Sequence, residues 1–157
     1  MNTPNILLTR IDNRLIHGQV GVSWTTGIGA NLLLVVDDIV AQDALQQQLM
    51  TATAASSGAG VRFWTIQKTI DTIHKAAPHQ KIFIICRTPE TVKKLVDGGV
   101  PIKEVNIGNM HFSAGKTAIS SKVYVDAKDI EDLKYIASKG IDTYIQDVPG
   151  EAKESYK

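Results

Sequence analysis

The sequence predicts an α/β domain built on a mainly parallel sheet, and three observations carry that expectation. Short, nearly continuous runs of Val, Ile, Leu and Phe recur along the chain, as in strands covered on both faces. Longer amphipathic stretches with helix-start and helix-stop residues fall between them, and strand–helix alternation builds a parallel sheet through right-handed crossovers. The 157 residues show no linker, low-complexity tract or internal repeat, so residues 1–157 are read as one domain.

Taken in order, residues 6–9 read as the first strand and 32–36 as the second. Residues 61–66 read as the third and 81–86 as the fourth. Residues 104–108 and 122–125 are weaker strand signals, and 143–146 reads as a last strand, antiparallel at an edge, about seven in all. Residues 20–24 resume an apolar helical pattern after the first strand, and 41–55 carry Ala, Leu, Gln and Met at helix-friendly positions. A helix over 90–96 follows Thr88-Pro89, a capping residue and then proline in the first turn, and ends at Gly98-Gly99. A helix over 126–139 opens on acids, ends on Ser138-Lys139 and is closed by Gly140, as the helix dipole prefers.

Composition excludes several function classes. With 43% hydrophobic and 21% charged residues the chain is ordinary globular material, and its length needs no disulfide or metal staple. A formal net charge of +1 argues against non-specific binding to nucleic acid or an anionic membrane. The single cysteine, Cys86, forbids an intramolecular disulfide and fits a reducing cytoplasm. The start, Met1-Asn2-Thr3-Pro4-Asn5, lacks the pattern of a signal peptide, and no run approaches the roughly 20 apolar residues of a membrane span. A cytoplasmic protein is expected.

In such folds ligands bind beyond the carboxyl ends of the strands, which points to the loop after the first strand. Arg10-Ile11-Asp12-Asn13-Arg14-Leu15-Ile16-His17-Gly18-Gln19-Val20 is the densest polar cluster in the chain. It places His17 at the start of the first helix, where unpaired N–H groups favour an anion. A neutral imidazole nitrogen attacks a phosphoryl group without a metal. Arg14 has the reach and the forked donors to grip phosphate oxygens, and Gly18 allows close backbone approach. Asp12 either holds an arginine or orients the imidazole. The same residues also read as a solvated loop with a capping histidine and a surface Arg10–Asp12 ion pair.

This motif resembles the phosphorylation loop of the enzyme IIB components of the bacterial sugar phosphotransferase system, mannose/sorbose class. The resemblance continues through Val35-Val36-Asp37-Asp38, residues 94–99 and Val105-Asn106-Ile107-Gly108-Asn109-Met110, and so spans nearly the whole chain. Within the class it is most similar to the branch handling N-acetylgalactosamine or galactosamine, on the Gly108-to-Phe112 run and on Gln146-Asp147-Val148-Pro149-Gly150. The resemblance implies an open, twisted, mostly parallel sheet with helices on both faces. It implies that His17 is phosphorylated through Nδ1, that Arg14 steadies the phosphate, and that Asp12 supports the loop together with Arg10, Asn13, Gly18 and Gln19. The implied donor is a phosphorylated IIA protein and the implied acceptor a sugar held by membrane components IIC and IID. No cofactor or metal is implied.

Four residues beyond the motif are candidates for the same crevice. Asp37 and Asp38 follow the second strand, and either bind Mg²⁺, orient the His17 loop or cap the helix near Ala41. Arg87 assists the phosphate or a partner surface, and His111 lines the crevice or packs its loop. The four scattered histidines make no zinc pattern, and Gly27-Ile28-Gly29-Ala30 lacks the dinucleotide fingerprint. The competing readings are a receiver-like signalling domain phosphorylated on aspartate, a nucleotide-binding module, and a non-catalytic regulatory domain.

Overall fold

In the computed structural model, which describes residues 3–156, the first apolar run extends into β1, Asn5–Asp12. Met1 and Asn2, part of the segment read as lacking a leader, and Lys157 lie outside the described residues. A loop leads into a wide π-helical stretch, Gln19–Trp24, that tightens into α1, Thr25–Ile28, and stops at Gly29 in the left-handed conformation. Then follow β2, Leu32–Val36; α2, Ala44–Ala54; β3, Gly60–Trp64; α3, Ile66–Thr72; and β4, Lys81–Cys86. The rest of the chain gives α4, Pro89–Asp97; β5, Glu104–Asn109; a hairpin of β6, Thr117–Ser120, and β7, Val123–Val125; α5, Ala127–Ser138; β8, Asp142–Ile145; and β9, Glu154–Ser155.

The main sheet has seven strands in the order β3-β2-β4-β1-β5-β8-β9. All neighbours are parallel except β8 and β9. The expected antiparallel edge exists, but β9 supplies it. Of residues 143–146, read as the edge, the first three belong to the parallel strand β8, which lies between β5 and β9. Of residues 122–125, counted among the seven, Val123–Val125 form β7 and instead pair with β6 in a separate two-stranded sheet. β6 is almost wholly exposed, so no apolar alternation marked it.

Capping explains where the helices begin. Asp43 caps α2, Thr65 caps α3, Thr88 caps α4 ahead of Pro89, and Asp126 and Asp129 form a reciprocal capping box on α5. Helix α3 departs from the sequence expectation of strand at residues 65 and 66. They are its cap and first residue, and Ile66, Ile70 and Ile73 recur at helical spacing beneath it. Asp37 caps a 3₁₀ turn, Val40–Gln42, rather than the helix itself, since Val40 N–H donates to its Oδ2 at 3.0 Å.

Side chains alternate strictly in the central strands, so the sheet separates two cores. Leu34, Val36, Ile82, Ile84, Cys86 and Ile107 face α3, α4 and α5. Leu8, Leu33, Val35, Phe83 and Ile85 face α2 and the first helix with its Val20 and Trp24. Arg10 and Asp12 stand two and four positions beyond Leu8 on β1, on this second side. No helix of the described residues is long and apolar enough to cross a membrane.

Covering on both faces makes a definite prediction. Ile84→Ala and Ile85→Ala, on opposite sides of β4, should each cost about 2–5 kcal/mol of unfolding free energy. Urea denaturation measures this; a cost near zero for either would mean that one face is not a core.

Candidate functional site

β1 ends in a buried ionic knot. Arg10 is a charged side chain with no solvent exposure. Its guanidinium donates to Asp12 Oδ2 from Nε and Nη2 at 3.3 and 3.2 Å, and from Nη1 to Asn106 Oδ1 at 2.6 Å and to the Gln146 carbonyl at 3.1 Å. It lies 5.0 Å from the centroid of the Trp24 ring. Gly108, on the neighbouring strand β5, makes the room: a Cβ there would fall inside the guanidinium. The surface ion pair weighed from the sequence is therefore a core element.

Asp12 is also fully buried and uses both oxygens. Oδ1 accepts from Arg14 N–H at 3.0 Å, while Oδ2, besides Arg10, meets His17 Nε2 at 2.8 Å. Both alternatives for Asp12 thus hold at once. Burial pushes its carboxyl up, but the bonds from His17, the Arg10 charge and the Arg14 backbone outweigh it and hold the group below its ordinary 3.8. Arg10 is displaced downward by burial, against the pull of Asp12.

An ionised carboxylate only accepts hydrogen bonds. The bond at His17 therefore requires the proton on Nε2, which leaves Nδ1 with a free lone pair. The His17 side chain is 15% exposed. Its carbonyl receives the Gly21 N–H at 2.7 Å and so begins the helix. A Cβ on Gly18 would meet nothing within 4 Å, so the space beside His17 is open. The Gln19 Oε1 atom is buried and has no hydrogen-bond partner among the described residues.

Asn13 fixes the loop to its surroundings. Its N–H donates to the Asn109 carbonyl at 2.9 Å, its Nδ2 to the Arg87 carbonyl at 2.7 Å, and its Oδ1 accepts from His111 N–H at 2.6 Å. Arg87 returns a bond from Nη1 to the Asn13 carbonyl at 3.0 Å and is held by Asp37 at 3.3 Å. Asp37 thus reaches the loop through Arg87. Asp38 does not join it: its Oδ1 accepts from Ile66 N–H at the start of α3. Leu15 has φ +57°, a left-handed conformation unusual for a branched side chain, and is held there with its side chain fully buried.

Arg14 is exposed and makes no ion pair with the described residues. It borders an open crevice of about 390 Å³ with Asn109, His111, Phe112, Lys122 and Tyr124. No group of three or more potential metal-binding side chains occurs among the described residues. Cys86 is buried, and burial pushes its thiol up, away from reactivity. Sequence reasoning missed Asn106 and Gly108 on β5 and Gln146 just after β8, which hold Arg10 or make room for it. Only the parallel register brings them there.

The family model described as PTS system sorbose subfamily IIB component matches residues 6–157. The chain belongs to that family. It is 67% identical over 154 residues, 98% of each chain, to the N-acetylgalactosamine-specific phosphotransferase enzyme IIB component 1 of Escherichia coli K12. It is 36% identical over 147 residues to the mannose-specific EIIAB component of the same strain, covering 93% of this chain and 45% of that longer one. A crystal structure of the N-acetylgalactosamine-specific IIB component 1 from E. coli superposes with a TM-score of 0.95 at 66% identity, over 98% of this chain and all of that one. IIB components are phosphotransferases that carry a phosphoryl group, and this membership sets aside the receiver, nucleotide-binding and purely regulatory readings. IIB components work with a IIA component and with membrane components.

Two predictions follow from the knot. Asp12→Ala strands Arg10 in the core and should cost about 3–5 kcal/mol at neutral pH, measured by denaturant unfolding. Because the folded value of Asp12 is depressed, its contribution is complete above the ordinary carboxylate range and fades as pH falls through the lower folded value. The difference between wild type and Asp12→Ala should accordingly shrink in acid. Gly108→Ala should displace Arg10 and cost about 1–3 kcal/mol or more, read by the same method.

Proposed function

We propose that this chain accepts a phosphoryl group from a phosphorylated IIA protein on His17 Nδ1. It then passes that group to a sugar held by the membrane components IIC and IID. The observation that carries the assignment is the 2.8 Å contact between His17 Nε2 and the buried Asp12 carboxylate, which selects the tautomer with Nδ1 as nucleophile. Opening at Gly18 gives that nitrogen access to a partner. The relative that joins IIA and IIB in one name supports a IIA protein as donor. The relatives specific for N-acetylgalactosamine support that sugar, or galactosamine, as the one served. The protein is assigned to the cytoplasm and reaches the inner face of the membrane through its partners.

The transfer balances without a cofactor. The Nδ1 lone pair forms an N–P bond as the donor's N–P bond breaks. Charge developing on the imidazole is met by Asp12 across the Nε2–H bond. The exposed guanidinium of Arg14 forks onto the phosphoryl oxygens and offsets their charge as the group moves. In the second step a sugar hydroxyl oxygen attacks phosphorus, its proton is released to water, the Nδ1–P bond breaks, and the imidazole departs as the neutral Nε2–H tautomer. Asn13, Arg87 and Asp37 hold the loop against the ends of β2 and β4 while two partners are served in turn. Sugar selection then falls to the membrane components, since this chain only has to present a phosphoryl group.

Phosphotransfer from phosphoenolpyruvate, the general phosphotransferase proteins and a matching IIA tests this. Wild type should acquire an acid-labile, alkali-stable label, and His17→Ala none. Arg14→Ala should fold normally and transfer roughly 10²-fold more slowly. A label of normal yield on His17→Ala overturns the assignment.

A further inference from the structure

The Gln146–Gly150 turn after β8 is distant from His17 in sequence, yet it meets the ionic knot at several points. The Gln146 carbonyl accepts from Arg10 Nη1 at 3.1 Å and from Asn106 Nδ2 at 3.0 Å. The Asp147 carbonyl accepts the Trp24 indole N–H at 2.9 Å, which ties the turn to the helix that His17 begins. The Pro149 ring lies against Gly27 on the same helix. The turn is held from its own side by Gln146 Nε2, which donates to the Glu151 carbonyl at 2.7 Å.

The Asp147 carboxylate is divided between two environments. Oδ2 receives Lys122 Nζ at 2.5 Å. Oδ1 is buried, has no hydrogen bond, and stands 3.7 Å from Arg10 Nη2, the nitrogen that also donates to Asp12. The guanidinium of Arg10 therefore lies between two carboxylates, of which one also holds His17. Asp12 Oδ2 serves Arg10 and the imidazole together. Any attraction that Arg10 satisfies at Asp147 is withdrawn from Asp12, whose oxygen is then more available to His17 Nε2–H.

We propose that Asp147 is a positioning residue for the phosphocarrier histidine. It acts through Arg10 and Asp12, and sharing the Arg10 charge strengthens the Asp12–His17 bond. Asp147 touches no reacting atom. Its carboxylate sets how firmly the imidazole is held in the Nε2–H tautomer, and therefore how fully Nδ1 is available. The buried oxygen without a hydrogen bond has a purpose in this arrangement: it is a second acceptor that Arg10 can lean toward when the imidazole gains charge. The inference rests on His17 as the carrier, and its test separates the two.

The test is Asp147→Asn, which keeps shape and removes charge. ¹⁵N NMR of the unphosphorylated chain should show His17 of wild type as one tautomer, protonated on Nε2. In Asp147→Asn the Nδ1-protonated form should appear, and single-turnover transfer from phosphorylated IIA should slow roughly tenfold with the donor concentration for half-maximal rate unchanged. A purely structural role would lower the unfolding midpoint and leave the His17 signals and the rate alone; that result overturns the proposal. Should Asp147→Asn fail to fold, Trp24→Phe keeps the ring over Arg10 and removes only the indole bond to the turn. It should move the His17 signals in the same direction, and unchanged signals there overturn the proposal equally. Absence of label on wild-type His17 would instead defeat the carrier assignment, while the NMR result would still decide the link from Asp147.

Discussion

The site depends on one carboxylate oxygen that serves two nitrogen donors, a guanidinium and an imidazole. Asp12 Oδ2 accepts from Arg10 on the core side and from His17 on the solvent side, so a fully buried ion pair and a partly exposed imidazole share an anchor. A buried arginine is costly unless each donor finds an acceptor. Asn106, the Gln146 carbonyl and Asp12 supply them, and Gly108 supplies the space. The same bonds that make Arg10 tolerable keep Asp12 ionised, and an ionised Asp12 dictates the histidine tautomer. Stability of the core and choice of the imidazole tautomer are thus one interaction seen from two sides.

The loop between β1 and the first helix is ordered by similar sharing. Asn13 is bound to the ends of β4 and β5, Leu15 pays for its left-handed backbone by burying its side chain, and the helix starts with a wide turn, a form often found at functional sites. Fixed points thus surround His17 on the protein side, while Arg14 and the space at Gly18 stay open to solvent. That division suits the proposed carrier role: fixed where the tautomer is set, open on the side of Arg14 and Gly18. Preorganised geometry of this kind removes reorganisation from the transfer step.

Comparison with a long two-function relative is instructive at the level of architecture. The mannose-specific EIIAB component matches this chain over less than half its own length. A domain of this fold is therefore found both within a longer polypeptide and, as in the N-acetylgalactosamine-specific relative, as a chain matched nearly end to end.

By itself the sequence determined the fold class and the central strands, and it singled out the loop proposed to carry the site. Fully buried parallel strands leave uninterrupted apolar runs, caps leave Thr-Pro and Asp signatures, and the motif from Arg10 to Val20 is contiguous. Local chemistry left His17 and Arg14 open between a phosphate site and a solvated loop, and the contiguous motif is what singled them out. Tertiary structure alone decided that Arg10 is buried, that Asp12 holds it and the imidazole together, that Asp38 serves α3 instead of the site, and that residues 122–125 leave the main sheet. It also brought Gln146 and Asp147 to Arg10. The physical reason is that pairing of parallel strands joins residues far apart along the chain. Short, exposed strands such as β6 and β9 bury too little to leave a pattern, and the burial of a charge depends on acceptors contributed by other strands.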